Sequence, residues 1–197
     1  MKAVRVHTGR AVPLTRSDVD TDQIIPSDWL KRVERTGFGR GLFSEWRDEP
    51  SFVLNDERYA GATVLVAGSN FGVGSSREHA VWALMDYGFD VVISPRFGDI
   101  FRNNSTKNGL VPVVLDAETV DRLHEALDAD PSLEIVVDVE RLVVEVPSLG
   151  IVESFPLDES TQHRFLHGLD DIGITLSHED DIEAYESRRL GFKPATL

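Results

Sequence analysis

The chain has 197 residues, 41% hydrophobic and 27% charged, a composition that supports a sizeable folded core and excludes a disordered or low-complexity polypeptide. Its formal net charge of −14 argues against nucleic acid as a partner, and no apolar run reaches the length of a membrane span. It contains no cysteine, which excludes a disulfide scaffold, a thiol nucleophile and a cysteine-ligated zinc or iron–sulfur site within this chain.

The charge is unevenly distributed. Residues 1–110 carry 14 Lys plus Arg against 14 Asp plus Glu, whereas residues 111–197 carry 6 against 20. An anionic ligand therefore fits the first part better than the second. The opening MKAVRVHTGRAVPL has no apolar signal-like region or small-residue cleavage site, so the cytoplasm is the expected location.

Val4 to Leu14 has strand character, with Gly9 as a possible turn. Arg16 to Pro26, RSDVDTDQIIP, places Asp18, Asp20 and Asp22 in alternation. That spacing resembles part of a calcium loop, but the required glycine and bidentate glutamate are missing. A loop that caps backbone groups with Asp and Thr side chains is the better reading. Ser27 to Gly41 reads as a short capped helix ended by Gly37, Gly39 and Gly41. Its Lys31, Arg32, Arg35 and Arg40 suit either a lid that meets an anionic substrate or a solvated basic helix. Leu42 to Tyr59 reads as a short helix and an irregular connection.

Thr63 to Ala67 is a buried strand by its β-branched, apolar run. Gly68, Gly72 and Gly74 follow, and then Ser75 and Glu78 at capping-box spacing, which predicts a helix that starts at Ser75. Strand, glycine loop and helix N-terminus together suit an anion, and Arg77 adds a fork for a carboxylate. Phe89 to Ser94 is a second strand, Phe97 to Lys107 a helix stopped by Asn108 and Gly109, Leu110 to Leu115 a third strand and Ala117 to Ala129 an amphipathic helix. This alternation predicts an α/β fold with a parallel or mixed sheet in one domain over residues 1–197. Leu133 to Val146 and Gly150 to Phe155 read as a meander or a second small sheet. Leu157 to Leu166 and Asp180 to Arg189 read as helices, with cap chemistry from Ser177 to Asp180.

The glycine loop is neither of the common phosphate-binding loops. A P-loop needs a glycine five positions after Gly68, where Val73 stands, and then a lysine. A dinucleotide fingerprint begun at Gly72 needs a glycine where Arg77 stands. A serine hydrolase could pair Ser75 with His79, but the nucleophile-elbow motif is absent, and His79 reads better as a packing or capping residue.

Three segments together carry a resemblance. Gly74-Ser75-Ser76-Arg77-Glu78-His79-Ala80, Asp20-Thr21-Asp22-Gln23-Ile24-Ile25-Pro26, and Phe97 to Pro112 with Asn104 and Lys107-Asn108-Gly109-Leu110 are similar in order and spacing to the aconitase superfamily. Within it, they resemble the family of 3-isopropylmalate dehydratase small subunits.

The resemblance implies a single swivelling β/β/α three-layer domain and a hydro-lyase subunit of leucine biosynthesis that is active only with a large subunit. It implies that the partner, not this chain, carries a [4Fe–4S] cluster, and that the substrate is a small dicarboxylic hydroxy acid. That substrate is 2-isopropylmalate, or alternatively citramalate, methylmalate or homoaconitate. It further implies catalytic roles for Ser75, as the base, and Asp22, as an orienting carboxylate. Substrate binding falls to Ser76, Arg77 and Thr21, and to Arg32 or Arg35 in the basic segment.

Overall fold

The computed structural model describes residues 1–31 and 36–190. Seven strands form one sheet in the order β4-β3-β2-β1-β5-β6-β7. They are β1 (Val6–Leu14), β2 (Val64–Ala67), β3 (Val91–Ser94), β4 (Val111–Val114), β5 (Glu134–Asp138), β6 (Val143–Val146) and β7 (Ile151–Ser154). The helices are α1 (Thr21–Ile24), α2 (Glu78–Tyr87), α3 (Asp99–Asn108), α4 (Ala117–Ala129), α5 (Glu159–His167), α6 (Asp171–Leu176) and α7 (Glu179–Ser187).

β1 joins two kinds of sheet. Its second half, Ala11 to Leu14, runs parallel to β2, and β2, β3 and β4 continue in parallel. Its first half, Val6 to Arg10, runs antiparallel to β5, and β6 and β7 follow as a meander. Of the two readings of Leu133 to Phe155, the meander holds and the second small sheet does not, because these strands form the antiparallel edge of the same sheet. Alternation along Leu133 to Phe155 marks strands but does not say which strand they pair with. Gly9 is not a turn. It lies mid-strand in β1, where a Cβ would collide with the hydroxyl of Thr63, so glycine there permits a close approach between neighbouring strands.

Parallel strands covered on both faces are apolar throughout, and all four residues of β2 and of β3 are buried. Their side chains feed two cores. Val12, Leu14, Leu65, Ala67 and Val92 face α2 and the aromatic residues Phe38, Phe43, Phe71 and Phe101. Ala11, Val64, Val66, Val91 and Ile93 face Val120, Leu123 and Leu127 of α4 and the inward residues of β5 to β7. The sheet thus curls over one core and carries helices over the other, a three-layer α/β arrangement as expected.

The helix predicted within Ser27 to Gly41 resolves into 3-10 turns at Ser27–Lys31 and Phe38–Arg40. Ser177 and His178 supply no side-chain cap to α7. Helix α6 has no counterpart among the predicted elements. Its N-cap is Asp170, whose carboxylate accepts from the Gly173 amide at 2.7 Å.

Candidate active site

Strands β1, β2 and β3 are parallel, so the loops that leave their carboxyl ends meet on one edge of the sheet, the usual place for a ligand in an α/β fold. Backbone hydrogen bonds lace them together. The Asp18 amide donates to the Ser69 carbonyl at 2.8 Å, the Gly72 amide to the Val19 carbonyl at 2.8 Å, and the Thr21 amide to the Val73 carbonyl at 3.0 Å. From the third loop, the Gly98 amide donates to the Phe71 carbonyl at 2.9 Å, while the Phe71 amide donates to the Arg96 carbonyl at the same length. Gly72 lies at φ +73°, and a Cβ there would strike the ring of Phe101. Only glycine meets both demands.

The lacing joins two sequence motifs more than fifty residues apart. The Thr21 hydroxyl donates to the Ser75 carbonyl at 2.9 Å and lies 3.4 Å from Ser75 Oγ. Arg77 Nη1 forms an ion pair with the Asp22 carboxylate and also donates to the Ile25 carbonyl at 3.3 Å. Thr21 is 2% exposed, whereas Ser75 and Ser76 are exposed. The Arg77 side chain is 16% exposed and that of Asp22 is 57% exposed. The guanidinium is thus anchored from behind, and the two serines stand open to solvent. A cleft of about 300 Å³ opens along the loop that precedes them, between Asn70 and Gly72 to Gly74 on one side and Arg96 to Ile100 on the other.

The three aspartates of the first motif serve three different purposes. Asp18 accepts from Asn70 Nδ2 at 2.7 Å, Asp22 pairs with Arg77, and Asp20 caps α1. The capping box is at Asp20 and Gln23, with the Gln23 amide 2.8 Å from Asp20 Oδ1 and the Asp20 amide 2.9 Å from Gln23 Oε1. Among the described residues, no three His, Asp or Glu side chains are grouped to hold a metal ion.

The expected capping box at Ser75 and Glu78 does not form. Helix α2 begins at Glu78, and its N-cap position is Arg77, in an extended conformation with no side-chain cap. Two tertiary contacts outcompete the local pattern. Thr21 holds the Ser75 end of the loop, and Glu78 Oε1 accepts from Asn108 Nδ2 at 2.8 Å. Asn108 in turn accepts from Trp82 Nε1 at 2.9 Å. The structural part of Asn108 is not readable from sequence; its place in the third motif is the only signal. His79 packs between Phe38 and Trp82, with ring centroids 5.3 and 4.7 Å away, and no hydrogen bond joins it to Ser75. Arg32 and Arg35 lie outside the described residues.

Comparison with known proteins places this arrangement. The family model of the aconitase C-terminal domain matches residues 1–118. The family model of the C-terminal domain of the 3-isopropylmalate dehydratase small subunit matches residues 171–197. A 3-isopropylmalate dehydratase small subunit of Parafrankia sp. (strain EAN1pec) is 63% identical over 196 residues, covering 100% of both chains.

The chain belongs to the family of 3-isopropylmalate dehydratase small subunits.

A second such small subunit, from Streptomyces coelicolor, is 61% identical over 197 residues, covering 100% of this chain and 99% of its own. The fold agrees with the crystal structure of a 3-isopropylmalate dehydratase from Methanocaldococcus jannaschii. That match has a TM-score of 0.68 at 23% identity and covers 91% of this chain and 98% of the other. Within the dehydratase small-subunit family, then, the shared aconitase-type segment holds all three laced loops of this chain.

Proposed function

We propose that this chain contributes the proton-abstracting and carboxylate-binding half of a 3-isopropylmalate dehydratase active site, as one swivelling domain that works with a large subunit in the cytoplasm. The observation that carries the reading is the union of Thr21 and Asp22 with Ser75 and Arg77 on one solvent-open edge of the sheet.

The reaction interconverts 2-isopropylmalate and 3-isopropylmalate through 2-isopropylmaleate. Its proton lies α to a carboxylate and is weakly acidic, so a positioned base is required. Ser75 Oγ, in its alkoxide form, takes that proton. The C–H electron pair becomes the double bond as hydroxide leaves, and water returns with the opposite regiochemistry. Because Ser75 stands ahead of α2 and not at its cap, the charge that stabilises its oxyanion is assigned to Arg77. The Arg77 fork grips a substrate carboxylate, with Asp22 fixing its orientation and Ser76 donating beside it. Thr21 holds the Ser75 backbone in register. Arg32 and Arg35 are the candidates for the second carboxylate.

A [4Fe–4S] cluster would, when bound, supply Lewis acidity at the departing hydroxyl. With no cysteine, this chain offers it no thiolate ligand, and the cluster is assigned to the large subunit.

Co-expression with a candidate large subunit under anaerobic conditions tests the reading. The assembled protein should dehydrate 2-isopropylmalate, seen as ultraviolet absorbance of the unsaturated acid, and should prefer it to citramalate, methylmalate and homoaconitate. An assembled complex with no dehydration of any of the four acids would reject it.

A further inference from the structure

We infer that the acidic, apolar face of α6 and α7 is a docking surface for a basic, apolar groove on the large subunit. The inference rests on the reading above that such a subunit is the partner. Neither helix buries any residue. Ile172 is 70% and Leu176 59% exposed, one helical turn apart on α6, and Tyr185 is 57% exposed one turn beyond Ile182 on α7. Leu190 follows at 59%. Two short helices that each present an apolar pair at this spacing have the pattern of helices that lie in a groove. A helix of nine residues is marginal in water without a packed face.

The segment is nonetheless fixed at its base. Asp171 pairs with Arg164 at 2.7 Å and with Lys107 at 3.9 Å, and Asp170 lies 4.0 Å from the amino terminus. The platform is thus held to the body while its large apolar side chains point to solvent.

Two observations select the occupant. Glu179, Asp180, Asp181, Glu183 and Glu186 lie on α7, and against these five only Arg188 and Arg189 are basic between residues 179 and 190. A second copy of this chain would bring two such acidic faces together, so the complementary surface is basic and belongs to a different chain. The segment also falls in the stretch matched by a family model specific to dehydratase small subunits, and outside the stretch shared with aconitases. A surface peculiar to chains that function as subunits fits a role in assembly.

The test titrates the full-length chain, and two variants of it, into the purified cluster-bearing large subunit, with far-UV circular dichroism as a check on folding. Ile172→Asp with Leu176→Asp should raise Kd at least about tenfold, the loss of two buried apolar anchors. Asp180→Asn, Asp181→Asn and Glu183→Gln together should raise Kd by several-fold and flatten its salt dependence. Turnover at saturating large subunit should stay that of the unaltered chain. Unchanged Kd in both folded variants overturns the inference, as does sedimentation that shows self-association of the chain through this face. An unaltered chain that binds the large subunit without turnover contradicts the functional reading and leaves the binding comparison intact.

Discussion

The two halves of the sheet have similar strand lengths and a shared β1, yet they do different work. In the parallel half, every strand from β1 to β4 points the same way, so its exit loops accumulate on one edge and can be laced into one site. In the antiparallel half, β5 to β7 reverse at each turn, and their connections are shared between both ends of the sheet. Charge follows nearly the same division, except that β4 falls on the acidic side of it. The part of the chain that forms β1 to β3 and their loops is neutral, while residues 111–197 hold the whole excess of −14. The proposed site for a dianionic acid falls where topology concentrates loops and where the local field does not repel it.

If chemistry belongs to the parallel half, a large loss should follow from a small change there. Arg77→Lys keeps the charge but loses the fork, and should lower kcat/KM of the assembled enzyme by about 100-fold, on the order of 3 kcal/mol of transition-state binding. Steady-state kinetics on 2-isopropylmalate would reveal it, and unchanged kcat and KM would remove Arg77 from the site. Next in size, Gly72→Ala should destabilise the chain by about 2–4 kcal/mol, because it combines a left-handed backbone with a contact against Phe101. Denaturant unfolding measures this directly. A loss below about 0.5 kcal/mol would mean that the loops are laced less tightly than the geometry requires.

The smallest effect should arise behind the sheet, on the face covered by α4. His124 is 9% exposed and donates from Nε2 to the Val66 carbonyl at 3.0 Å. Burial lowers its pKa below the usual 6.5, with the Val66 contact and Asp121 opposing. The neutral ring is the form that the folded state prefers. The unfolded chain therefore binds the proton first as pH falls through 6.5, and stability declines below that value. His7 shifts in the same direction, by burial first, with Asp90 opposing and Lys2 assisting. His124→Gln should flatten the fall of unfolding free energy between pH 7 and 5. A slope equal to that of the unaltered chain would assign the acid sensitivity elsewhere.

What can be read from sequence divides along the same line. The strands and helices of the parallel half are legible because buried strands make continuous apolar runs and Gly109 stops α3 at the expected place. The meeting of Asp22 with Arg77 is accessible only through the resemblance, since no periodicity relates positions 55 apart. The start of α2 departs from expectation because Ser75 and Glu78 form a good local cap pattern, whereas Thr21 and Asn108 claim both ends of it in space. Gly9 departs for a related reason: a glycine that admits the neighbouring Thr63 hydroxyl looks, in sequence, like a glycine in a turn. The pairing of β5 with β1 is hidden because alternation fixes faces and not neighbours.

The central claim is that Ser75, held by Thr21 beside an anchored Arg77, is the proton-transferring group of a site completed by another chain. Ser75→Ala in the assembled enzyme tests this most directly, with turnover and complex formation measured on one sample. The expected result is a complex that forms with unaltered affinity and loses at least about 1,000-fold in kcat. Near-normal turnover by that complex would contradict the assignment.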